Sequence, residues 1–138
     1  MKTIITLFIL FVSQIGYSQQ LVQNISDMNR LKEYEAVFIN KPLKYLLKEL
    51  KPEIKTATVL NEEEGGLFCF RFTTIEQQRK RQGTLSDRVS LFVEVNQFIP
   101  WNWEERPKGS EVNWTVNDEQ KFGNYIVVRI GIVPTSQK

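Results

Sequence analysis

The hydrophobic period of this chain changes at Pro52, and nothing else in the sequence restricts the fold as strongly. Before that point Leu43, Leu46, Leu47 and Leu50 recur at i, i+3, i+4 and i+7. That spacing puts four leucines on one stripe of a helix and Lys44, Lys48 and Glu49 elsewhere. Asn40 reads as its cap, Pro42 suits a first turn where its missing N–H costs nothing, and Pro52 ends it. Further upstream, Ser26 and Asp27 offer side-chain oxygens to cap a shorter helix carrying Met28 and Leu31.

Beyond Pro52 the period is 2, and five segments read as strands. Ile54 to Leu60 is the first. In Leu67 to Thr74, Phe68, Phe70 and Phe72 share a face, and in Arg88 to Asn96 the set is Val89, Leu91, Val93 and Val95. Val112, Trp114 and Val116 alternate with Asn113 and Thr115, and Ile126, Val128, Ile130 and Ile132 align in Tyr125 to Val133. Asn61 to Gly66 is an acidic, glycine-ended turn between the first two strands. The expected fold is α+β, with one or two N-terminal helices packed on a mostly antiparallel four- to five-stranded meander. A strand-like Glu35 to Ile39 ahead of the leucine helix also allows a β-α-β unit, an arrangement too common to name a family.

The first residues carry a different message. Met1-Lys2-Thr3 precedes the apolar run Ile4 to Val12, and Gly16 and Ser18 stand at −3 and −1 of a cut before Gln19. A basic start, a short apolar core and small residues before a polar segment are the parts of a secretory signal. The run is shorter than the roughly 20 residues that span a bilayer. A lipidated precursor would need Cys after the cut, and the one cysteine is Cys69. Residues 1–18 are therefore read as a removable signal, with no transmembrane anchor after processing. Residues 19–138 form one domain with a flexible start at 19–25. The expected location is secreted or periplasmic, in a bacterial style.

Charge and residue types then exclude whole classes of function. Eighteen basic and sixteen acidic residues nearly balance, which gives no reason to expect nucleic acid as a partner. The chain has no histidine, so the usual general base, the usual transition-metal ligand and every Ser-His or Cys-His nucleophile are missing. One cysteine without histidine builds no ordinary zinc site, and Gly65-Gly66 lacks a phosphate-loop pattern. No metal and no cofactor is implied. Cys69, between phenylalanines, reads as an inert small side chain with no base to activate it.

Two surfaces remain. The connection 97–111 holds Trp101, Trp103, Glu104 and Arg106 between Pro100 and Pro107. Indoles and arginine dominate binding hot spots, and a loop this long is often functional. The plainer reading is that an indole folds back over the core. The second surface is the sheet face opposite the oily one. There Arg71, Glu94 and Arg129 fall on one side of three strands with Phe92 and Tyr125, either as a binding face or as a cross-strand ion-pair ladder. Arg79-Lys80-Arg81, in the connection 75–87, reads as a solvated loop tip.

The leading expectation is an exported, non-catalytic module that recognises a protein, peptide or glycan through the 97–111 loop and the adjoining sheet face. Two rivals come from other classes. One is a small polysaccharide hydrolase pairing Glu94 with Glu104 or Glu105. The other is a structural subunit that lends a sheet edge to a partner.

Overall fold

A computed structural model describes residues 19–81 and 88–134. The proposed signal peptide and residues 82–87 and 135–138 lie outside the described residues. The segment ahead of the helices is tied to the loop after the leucine helix at Val22. Val22 is fully buried and forms a parallel bridge with Leu50. Its N–H donates to Glu49 O at 3.0 Å, and its carbonyl accepts from Lys51 N at 2.9 Å.

Three short helices follow: α1 (Asn29–Glu33), α2 (Glu35–Phe38) and α3 (Leu43–Leu47). A 3-10 turn, Ile25–Asp27, leads into them, and the Asp27 carboxylate accepts from the N–H groups of Gln23 and Asn24 at 3.2 and 3.3 Å. The strand-like Glu35 to Ile39 is thus helical. Met28, Leu31 and Phe38 recur at helical spacing and are all buried, and that period wins over local β propensity. No β-α-β unit forms. Asn40 does not cap α3 either. It adopts a left-handed φ of 65° and donates its N–H to Val127 O at 2.8 Å. The free N–H groups of the first turn of α3 are satisfied from another element: Leu43 N donates to Tyr125 O at 2.7 Å and Lys44 N to Gly123 O at 2.8 Å.

The sheet is a four-stranded antiparallel meander in the order β1 (Thr56–Glu62), β2 (Gly65–Arg71), β3 (Ser90–Val95) and β4 (Val127–Val133). Its rows can be read straight across. Ala57, Phe70, Leu91 and Ile132 align, as do Val59, Phe68, Val93 and Ile130, and these rows face the helices. Leu31, Phe38, Leu43, Leu46 and Leu47 complete that core. Fully burying one such side chain contributes about 1.5–3 kcal/mol. At the β1–β2 turn the glycines are needed for close approach. A Cβ on Gly65 would lie 2.3 Å from Val95 O, and one on Gly66 2.5 Å from a side-chain carbon of Ile99.

Two strand expectations need correction. Val112 to Val116 is not a fifth strand. It touches β1 through one bridge, Thr56 to Asn113, and Val116 opens helix α5 (Val116–Phe122). The Thr115 hydroxyl accepts from Asp118 N at 3.2 Å, while the Asp118 carboxylate accepts from Thr115 N at 3.0 Å. This reciprocal cap outweighs a short alternation. In β4 the pairing slips at Glu94/Val95, so Glu94 faces Arg129 while Val95 faces Val127. The bulge leaves Val128 exposed and buries Val127, the reverse of a strict period of 2. One further helix, α4 (Ile75–Arg79), is capped by Thr74 and Gln77 and occupies the start of the first long connection.

Candidate functional site

The 97–111 loop is seated on the helical side of the sheet and pinned at both ends. At its start, Ile99 is fully buried and exchanges two hydrogen bonds with the Asn61 amide, N–H to Oδ1 at 2.7 Å and Nδ2 to O at 2.8 Å. At its far end, Arg106 is the knot. Its Nε donates to Glu111 O at 2.6 Å, and its two terminal nitrogens reach Asp118 Oδ1 and Oδ2 at 2.9 and 2.8 Å. One of them also donates to Asn113 O at 2.6 Å. The guanidinium lies 3.8 Å from the centre of the Trp101 ring, a desolvated cation–π contact.

Trp101 folds back into an aromatic stack. It lies parallel to Trp114 at 6.4 Å and to Phe122 at 6.0 Å, and its indole N–H donates to Glu111 O at 3.2 Å. Trp114 continues the stack edge-on to Phe70 at 5.0 Å, and Phe122 to Phe68 at 5.4 Å. Tyr125 also joins it, edge-on to Phe122 at 5.4 Å, and so belongs to the helical side and not to the opposite sheet face. Such pairs contribute about 0.5–1.5 kcal/mol beyond burial.

Asp118 is buried beneath this knot. Burial alone would push its pKa up, but hydrogen bonds from Arg106 and Thr115 outweigh that and hold it below the ordinary 3.8. Glu111 is also held below its usual value, by N–H donors of its own backbone and of Gly109.

What the knot leaves outside is the tip. Trp103, Glu104 and Glu105 form a 3-10 turn, steadied by Asn102 Nδ2 to Glu105 Oε2 at 3.3 Å. Trp103 is 54% exposed and Phe98 66% exposed. Phe98 was not among the residues singled out from the sequence, since a lone phenylalanine beside Ile99 and Pro100 carries no signal of exposure. Asp118 escaped because its cap was hidden in an apparent strand.

The second candidate surface lies on the other side of the sheet. Cys69 and Phe92 pair there in one row, and Leu67, Glu94 and Arg129 in another. Glu94 and Arg129 meet at 2.7 Å, an exposed cross-strand pair contributing a few tenths of a kcal/mol. Arg71 shares the face but sits in the row of Ser90, and its guanidinium donates to Gln78 of α4 at 3.0 Å. The sheet thus brings together Glu94 and Arg129, with Phe92 one row away. Trp101 and Arg106 pack instead with Trp114, Phe122 and Asp118 on the helical side.

Among the described residues, no group of three or more acidic or cysteine side chains is placed to hold a metal ion, and no helix is long and apolar enough to cross a membrane. No protein-family model matches the chain, and no curated protein or solved structure is detectably similar to it.

Proposed function

We propose that the chain is an exported, non-catalytic binding module that recognises a protein or peptide through the tip of the 97–111 loop. The observation that carries this reading is the exposure of Trp103, with Phe98, on a loop whose neighbours are locked. An indole held out by a rigid frame loses little conformational freedom on binding, so more of its contact energy appears as affinity. Trp101 and Arg106 act as the frame, and Glu104 supplies charge at the rim. The secretory pattern of residues 1–18 and the lack of histidine support export and a non-catalytic role.

The test is a pull-down from native envelope extract with the purified protein, run beside Trp103→Ala and Phe98→Ala. Both variants should keep the native melting temperature, since both side chains are more than half exposed. Trp103→Ala should weaken capture of the partner at least thirtyfold, on the order of a 2 kcal/mol hot spot. Trp101→Ala should instead lower the melting temperature. Equal capture by the native protein and both surface variants would sink the reading.

A further inference from the structure

We infer that the groove between α2 and the start of α3 binds an acidic polysaccharide, at a site separate from the Trp103 loop. The groove has a volume of about 740 Å³, and Tyr34, Val37, Pro42 and Tyr45 are on its walls. That volume is within the range of about 300–1,000 Å³ that holds small ligands. Single exposed apolar residues are ordinary on any surface. Here three of them, Tyr34 at 50%, Val37 at 55% and Tyr45 at 46% exposure, line one concavity.

The charge around those rings chooses the ligand. Lys41 and Lys48 line the groove, and the ammonium groups of Lys44 and Lys48 stand 5.8 and 5.7 Å from the centre of the Tyr45 ring. The one acid on the described walls, Glu49, accepts from Leu21 N at 3.4 Å and is turned toward the backbone. A tyrosine ring with two ammonium groups held over it, beside the apolar walls of Tyr34 and Val37, complements a sugar whose C–H face is apolar and whose rim carries a carboxylate. The groove is concave, which suits a chain ligand better than the surface of a bilayer.

Titration calorimetry with oligogalacturonate, and with the same oligomer methyl-esterified to remove its charge, tests this directly. The native protein should bind the acidic oligomer and bind the neutral one at least tenfold more weakly. Tyr45→Ala should weaken binding tenfold or more, while Tyr45→Phe, which keeps the ring, should retain it. Lys44→Ala/Lys48→Ala should bring the acidic oligomer down to the level of the neutral one. These side chains are exposed, so an unchanged melting temperature certifies each variant. No measurable binding, equal affinity for the two oligomers, or an unaffected Tyr45→Ala would overturn the inference. So would binding to phosphatidylglycerol vesicles that the acidic oligomer fails to displace.

Discussion

At the scale of single residues, Arg106 and Asp118 decide how the tryptophan loop is used. The pair leaves only 17% and 8% of its side-chain surfaces exposed, and the Arg106 guanidinium ties the loop to its own end at Glu111 and to Asn113 and Asp118 around the start of α5. Removing one partner of a buried pair strands the other, at a cost of about 3 kcal/mol or more. Arg106→Ala should therefore be among the most destabilising substitutions outside the sheet, read by urea denaturation at pH 7. The same knot sets an acid limit. Asp118 is held below 3.8, so its contribution is full above that value and is lost as pH falls through the lowered folded pKa. Native stability should drop between pH 4 and the onset of acid unfolding, and Arg106→Ala should show a smaller drop over the same interval because its Asp118 is no longer held down. Equal stability of the two proteins at pH 7 would refute this account of the loop.

At the scale of elements, the outcome turned on how long each periodic signal ran. The leucine stripe and the alternations of β2 and β3 span several residues each and are legible without a structure, because burying one face fixes register. The short segment Val112 to Val116 was misread because three alternating apolar residues weigh less than a Thr–Asp cap. In β4 alternation is real but is broken once by a bulge, and no local residue type announces where. The candidate site was legible in part. Tryptophan and arginine mark the loop, yet whether each faces water depends on partners 5 to 21 residues away in sequence, such as Glu111, Asp118 and Phe122. The bulge yields a clear prediction. Val127→Asp should unfold the protein or cost more than about 3 kcal/mol, whereas Val128→Asp should stay within about 1 kcal/mol of native. Thermal melts of the two variants check it, and the opposite order would mean that β4 pairs without its bulge.

At the scale of the whole molecule, the question is what the edges of an open four-stranded sheet offer to another strand. Part of each edge is covered by loops or side chains. The start of β1 is covered where Ala57 N donates to Val112 O at 2.7 Å and Trp114 N to Lys55 O at 3.1 Å. Along β4, Lys41 O and Asn40 N take the two backbone groups of Val127. Further on, Glu35 Oε2 accepts from Ile130 N at 2.7 Å while Lys32 Nζ donates to Ile130 O at 3.0 Å. A carboxylate and an ammonium, one helical turn apart on the α1–α2 segment, thus imitate the acceptor and donor of a neighbouring strand. An edge so occupied is a poor template for a partner, which weighs against β4 as the contact of a structural subunit. Hydrogen bonding from Ile130 N–H, then from Lys32, holds Glu35 below its ordinary 4.5. Its blocking role is complete above that value and is lost as pH falls through the lowered one. Glu35→Ala should accordingly expose the edge and produce concentration-dependent association at neutral pH, seen by multi-angle light scattering. Glu35→Gln removes the charge as protonation does, and at neutral pH it should associate to the same degree as the native protein in acid. The native protein should begin to associate only in acid, below pH 4.5, and a Glu35→Ala variant as monodisperse as the native chain at neutral pH would show that the edge is protected by something other than this pair.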